Sequence, residues 1–389
     1  MHPHSHLRRA IIVILGLGLF SLPALVAAQQ SAAEESSTGR MRSEVTLGFR
    51  TVAVVSTPAL QADDPAHSML LSNMDDSRDG FVRVGQLNTD ASISVGAAEI
   101  EVDEPEEADA GVTVGRYDLW LAGTSDGWRL HVAEAQAGAA TQPFVSVVGS
   151  ARLAHTTAAM ASPTLTAGIV PTGSDAGELI LRWGLHEWTT ALEFAGPRVQ
   201  VRARRESGVG ADRSFEFDSS DLQRASRLGR RNIATATLPD GASLAVIYPR
   251  DLNVEDRDFS HLVSVAAGAV VRVTANAVIR LDIDAPLQFG DVTLETGNQG
   301  ALRGAPGSYG VWLKRTAAGW RLVFNEEPDA WGSQHDPMFD VGEVDLEYSY
   351  EDDSSRSMSA SVVMTTADQG QFVLVWGPHE WTADFAVAR

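Results

Sequence analysis

Cysteine is absent from the 389 residues, and disulfide frameworks, thiol nucleophiles and cysteine-ligated zinc are excluded with it. Positive charge is scarce too. Thirty basic residues stand against 51 acidic ones, for a net charge of −21, and Lys314 is the single lysine. So acidic a chain offers phosphate backbones no diffuse positive field, which argues against nucleic acid as a partner. Amphipathic helical periodicity is also rare, with Ser220 to Arg230 the one short candidate. A phosphate-cradling G-x-x-x-x-G-K-[ST] loop is missing, and no cofactor is implied. Gly123–Gly127 does spell G-x-S-x-G, but it lies between two strand patterns rather than between a strand and a helix, so it reads as a hairpin turn.

The apolar residues that are present begin at the N-terminus. Arg8 and Arg9 precede an unbroken apolar stretch from Ala10 to Phe20, and Val26-Ala27-Ala28 follows. That order predicts a signal peptide over residues 1–28, cleaved after Ala28, and a periplasmic or extracellular address. Ser21 and Pro23 leave the run well short of the roughly 20 residues a spanning helix needs. No later stretch is long and apolar enough to cross a bilayer, so no membrane span is expected after cleavage. Residues 29–40 are small and polar and read as a disordered lead-in.

The two halves of the chain match one another. GRYDLWLAGTSDGWRL at residues 115–130 is echoed by GSYGVWLKRTAAGWRL at residues 307–322, 192 residues on. ELILRWGLHEWT at 178–189 is echoed by QFVLVWGPHEWT at 371–382, 193 residues on. Blocks in one order at a nearly constant offset predict an internal duplication of whole domains, because the period far exceeds that of solenoid repeats. The first domain is placed at 41–197, a linker at 198–227 and the second domain at 228–389. Within each block apolar residues alternate, the period of half-buried strands. Tyr117, Leu119 and Leu121 share one face, and after the Ser125-Asp126-Gly127 turn Trp128, Leu130 and Val132 share another. The fold class expected is all-β: two tandem antiparallel β-sandwich or barrel-like domains.

The second half resembles a bacterial family known as domain of unknown function 2911. Four elements carry the resemblance in order: Val246–Arg250, the RVTAN segment at Arg272–Asn276, the strand entry Pro306–Tyr309, and Trp320 to Gly332 with its Trp-x-x-x-x-Asn stretch and Trp-Gly pair. The first half keeps the hairpin and the last strands but has no counterpart of Asn325 or Trp331-Gly332, and so reads as a diverged duplicate. Ala277 stands where the family has glutamate, and Thr274 replaces a glycine. The resemblance implies an exported β-rich domain and brings no assigned activity.

Candidate chemistry follows from these residues. Asn276, Trp312, Asn325, Trp331 and His335 are the candidate ligand-binding set. Trp120 and Trp312 alternate away from the inward rows and are expected on the surface. His-Glu-Trp-Thr occurs twice, at His186–Thr189 and His379–Thr382, yet adjacent strand residues point to opposite faces, so neither pair reaches one ion. Packing beside tryptophan on an apolar face, with ring nitrogens bonded to backbone, explains the recurrence more simply. Glu99 to Asp109 crowds carboxylates around Pro105 and reads as a solvated acidic loop. The leading expectation is an exported, non-enzymatic binding or envelope-associated β module whose partner is a small molecule, a glycan or an envelope protein. One rival is a secreted metal-dependent hydrolase drawing on Asp251, His335, Asp336 and His379; another is a carbohydrate-binding module acting through Trp312.

Overall fold

The computed structural model describes residues 40–48, 50–57, 60–72, 80–102, 115–135, 146–195, 231–274, 278–297, 306–328, 335–352 and 354–388. The expected signal peptide, nearly all of the expected lead-in, the expected linker at 198–227, the helix candidate at Ser220 to Arg230 and most of the acidic run lie outside these residues.

The protein is all-β, and every strand pairing among the described residues is antiparallel. The first half contributes β1 (Arg42–Leu47), β2 (Arg50–Ser56), β3 (Val82–Thr89), β4 (Ile93–Val95), β5 (Ala98–Ile100), β6 (Gly115–Thr124), β7 (Gly127–Glu134) and the long β8 (Val147–Pro171) and β9 (Ala176–Phe194). The second half contributes β10 (Arg231–Thr237), β11 (Ser243–Pro249), β12 (Val270–Val271), β13 (Ile279–Ile283), β14 (Leu287–Phe289), β15 (Val292–Leu294), β16 (Ser308–Arg315) and β17 (Trp320–Asn325). It closes with β18 (Asp340–Tyr350), β19 (Ser359–Met364), β20 (Gln369–Trp376) and β21 (His379–Val387).

Pairing registers in one half recur in the other. In the first half β8 pairs β9 from Ala154↔Thr189 to Pro171↔Gly177. In the second, β18 pairs β21 with Glu347↔Thr382, and β19 pairs β20 with Met364↔Gly370, each residue 193 positions on. The matched side chains make the same bonds. Trp183 Nε1 donates to Gln61 O at 2.9 Å, and Trp376 Nε1 to Asn253 O at 3.0 Å. Tyr117 donates to Glu101 O and Tyr309 to Glu295 O. Burial of that second phenol pushes its pKa up to about 12. The tight turns ahead of both His-Glu-Trp segments put Gly184 and Gly377 at φ 60° and 58°, a conformation other L-residues rarely adopt.

Two short helices interrupt the strands at matched places: α1 (Pro65–Ser72) after β2 and α2 (Arg257–Val263) after β11. Asp64 starts the first by accepting from Ala66 N at 2.8 Å, with Pro65 already holding a helical φ. Leu70 and Leu262 are the leucines the two helices bury.

Two apolar cores result. One collects Val52, Val54, Leu119, Leu130, Leu181, Trp183 and Trp188 from the first half; the other collects Val246, Leu281, Tyr309, Leu322, Phe372, Trp376 and Trp381 from the second. Between them the sheet continues unbroken, because β1 pairs β10, with Glu44 opposite Thr235. A small apolar seam backs this junction. Val170 and Ile180 pack with Val363, Val373 and Val375, so that matched residues of the two halves meet one another. Ser359 Oγ donates to Pro171 O at 2.6 Å and Ser162 Oγ to Thr365 O at 2.9 Å across the seam.

Candidate functional site

Three of the five candidate ligand-binding residues come together at the end of β17. Asn325, 1% exposed, sits where the β17–β18 register shifts by a bulge and faces Asp340. Its Nδ2 donates to Asp336 O at 3.0 Å and to Asp340 Oδ1 at 2.9 Å, while its Oδ1 accepts from Glu327 N at 2.9 Å. His335 Nε2 lies 2.7 Å from the same Asp340 oxygen. The His335 ring stands edge-on to Trp312, with centroids 5.2 Å apart. Asp336 caps the short 3-10 turn Pro337–Phe339 by accepting from Met338 N, and Pro337 pre-sets the turn's backbone. The result is a latch that ties the Glu327 amide and residues 335–339 down to the sheet. Asp340, the hub of the latch, was not singled out from sequence; its position two residues beyond the Pro337-Met338 turn carried no periodic signal. Asn276 and Trp331 lie outside the described residues.

Trp312 corrects the surface expectation: it is 2% exposed, packed with Val278 and Val323, and Trp120 is buried as well. Both faces of β6 and β16 are covered, so alternation along those strands separates two buried faces rather than core from solvent.

The four residues named for a metal site occupy separate places. His335 and Asp336 belong to the latch, while Asp251 pairs with Arg250 at 3.3 Å. His379 Nδ1 bonds to Tyr348 Oη at 2.8 Å. Among the described residues no group of three histidine, aspartate or glutamate side chains stands arranged to hold a metal ion.

Exposed aromatic surface lies instead on β18 and β21. Tyr348 is opposite Trp381 and Tyr350 opposite His379, and the two tyrosines are 44% and 57% exposed. His379 stacks on Trp381 at 22° and on Tyr348 at 28°, with Tyr350 edge-on to it at 5.2 Å and Phe259 of α2 against it. Burial lowers the His379 pKa. This corrects the expectation of backbone-bonded ring nitrogens, since Nδ1 is held by a phenol. At one rim Arg356 bridges Glu380 at 3.1 Å and Glu351 at 3.5 Å.

The matched patch in the first half has different chemistry. His155 is opposite Trp188 and Thr157 opposite His186. His186 stacks on Trp188 at 23°, as His379 does on Trp381, but its Nδ1 meets His155 Nε2 at 2.9 Å. His67 of α1 stands where Phe259 stands, 5.8 Å from His186 and 4.7 Å from Trp183 between centroids. Desolvation lowers the His155 and His186 pKa values, and for His186 the charges of His155 and His67 add to it.

Residues 231–385 match the model of one family. It is described as Protein of unknown function (DUF2911). The DUF2911 match therefore spans β10 to nearly the end of β21 and contains the latch and the tyrosine patch. It confirms the resemblance carried by Val246–Arg250, Arg272–Asn276, Pro306–Tyr309 and Trp320–Gly332. Nothing matches among curated proteins or solved structures.

Proposed function

We propose that the chain is an exported, non-enzymatic β protein, formed by head-to-tail duplication of one module, that binds an envelope glycan on the outer face of its second half. The observation that carries this reading is the Tyr348–Tyr350 pair. Two exposed rings, alternate on one strand and backed by His379 and buried Trp381, form a stiff platform. Such a platform stacks on the apolar face of a sugar ring, and Glu351, Arg356 and Glu380 at its rim supply hydrogen-bonding groups. These tyrosines take the role that the sequence suggested for Trp312. A structural role for the latch fits the same reading, because Asn325, His335 and Asp340 spend their polar groups on one another and on the chain. The recurring registers and matched bonds support duplication, and the basic, apolar and small-residue order of residues 1–28 supports export to the periplasm or beyond.

Titration with soluble peptidoglycan fragments and a broad glycan array tests the binding. The expected result is saturable quenching of tryptophan fluorescence, lost in Tyr348→Ala and Tyr350→Ala variants that melt like the parent. Silence across the array retires the glycan reading. Cell fractionation with N-terminal sequencing tests the address, the expected first residue being Gln29.

A further inference from the structure

We infer, resting on the glycan reading of the tyrosine platform, that Arg315 is its ligand-binding cation and that the sugar stacked there carries a carboxylate, as uronic acids do. Arg315 of β16 pairs with Trp320 of β17, and Trp320 with Leu346 of β18. Residues opposite one another in a sheet share a face, as do alternate residues of one strand. Arg315, Trp320, Leu346, Tyr348 and Tyr350 therefore stand on one face. The Arg315 Cζ lies 4.8 Å from the centroid of the Trp320 ring. Trp320 is edge-on to Trp381 at 5.6 Å, and Trp381 is 6.0 Å from Tyr348. A row of rings thus runs from the guanidinium to the exposed tyrosines. It is short enough for the charge to be felt at the far end: burial raises the Tyr348 pKa, and Arg315 opposes the rise.

The same alternation sorts the charges. Lys314, Arg321, Glu343 and Asp345 lie on the other face, where Lys314 and Arg321 each donate to Glu343 at 2.5 Å and Arg321 donates to Asp345 at 2.6 Å. Glu347 is turned to that face with them. Among the described residues no carboxylate stands within ion-pair distance of Arg315, although the chain carries a net charge of −21. Stacking on an indole leaves the in-plane fork of N–H donors open to a planar anion, which it grips through two parallel hydrogen bonds. At the other end of the platform Arg356 already bridges Glu351 and Glu380. The two ends thus differ in charge, and the carboxylate of the ligand belongs at the Arg315 end, with its ring on the tyrosines.

The first half supplies an internal control. Its hairpin has Gly123 opposite Trp128 where the second half has Arg315 opposite Trp320. It has His155 and Thr157 where the second half has Tyr348 and Tyr350. The tryptophan beneath is present in both, since Trp128 meets Trp188 edge-on at 5.1 Å as Trp320 meets Trp381. A guanidinium required only to cover that indole would be required in both halves. Instead the arginine accompanies the exposed tyrosines and is missing where they are missing, as the parts of one binding site would be.

Tryptophan-fluorescence titration of the full chain with oligomers of galacturonate, glucuronate and mannuronate, each beside its fully methyl-esterified form, tests this. The ester keeps the ring and removes the charge. At least one acid oligomer is expected to bind about tenfold more tightly than its ester, and added salt should narrow the gap. Arg315→Gln should abolish the gap while the ester still binds, whereas Tyr348→Ala should lose both forms. A thermal melt checks the fold of each variant, and Arg315→Lys, which keeps the charge and loses the fork, should retain part of the preference. Binding confined to neutral glycans, esters that bind the parent as well as the acids do, or a preference that survives Arg315→Gln overturns the inference and leaves the glycan reading standing. If no oligomer, acidic, esterified or neutral, quenches the fluorescence, the glycan reading falls and this inference falls with it.

Discussion

The two aromatic patches differ at two of their three central positions and agree beneath them. Phe259, Tyr348 and His379 surround one patch, and His67, His155 and His186 the other, over the same tryptophan pairs: Trp183 with Trp188 and Trp376 with Trp381. Those four indoles are essentially inaccessible to solvent, whereas the rings above them range from buried His67 to exposed Tyr348. The foundation is fixed by packing, in which every methylene is felt. The rings above meet water or one another, and there the chemistry differs.

This comparison is broken or sharpened by a graded set of measurements. Trp183→Ala and Trp376→Ala should each lower stability by about 3–5 kcal/mol in chemical denaturation, and by similar amounts. A large disparity would mean that the two indoles do not do the same work. Asn325→Ala removes three bonds from a buried amide, and about 2 kcal/mol should be lost as Asp340 and the Glu327 amide are left short of partners. The matched residue of the first half is Ala133, which has no side-chain amide to lose. At the next level, Phe259→His should destabilise by about 1 kcal/mol and His67→Phe should stabilise by a similar amount, since each changes whether a buried acceptor is left unpaired. A shift of the same sign in both variants would show that the two sites are shaped differently.

The smallest effect is on pH. His131, His155 and His186 in the first half and His379 in the second are all held below 6.5, chiefly by desolvation. The unfolded chain then binds more protons than the folded one just below that pH, so stability is lost as pH falls through 6.5 until the depressed folded values are passed. Glu178 and Asp90, raised by burial, act in the opposite sense at lower pH. Melts between pH 7 and 5 should show the decline, and His155→Tyr should flatten it more than His379→Phe does, because in the first half the imidazoles also repel one another.

Much of this fold was legible in the sequence, for a physical reason. Strand alternation and the turn at Gly127 reflect a period and a backbone conformation that do not depend on distant contacts, so both hairpins were placed from residues 115–130 and 307–322 alone. The helices α1 and α2 were missed because each is only two turns long; their one local signal was an aspartate, Asp64 or Asp256, just ahead of the first turn. Trp120 and Trp312 were misplaced because alternation tells two faces apart without saying whether both are covered. The latch was half legible. Asn325 and His335 stood out, but the residue joining them, Asp340, is one acid among 51 and gains its meaning only from the bulge that points it at Asn325. The histidine patch was invisible for the same reason, since His67, His155 and His186 are far apart along the chain and meet only through the β8–β9 register and the seat of α1.

The seam where Val170 and Ile180 meet Val363 and Val373 is what two identical subunits would show across a symmetry axis. In a homodimer every substitution appears twice, so a change that suits one face is imposed on the other. Joining both partners in one polypeptide, as the proposed duplication would do, lifts that constraint. On the proposed duplication, one side would be free to specialise while its twin kept the ancestral surface, and their stoichiometry is fixed at one to one at any concentration.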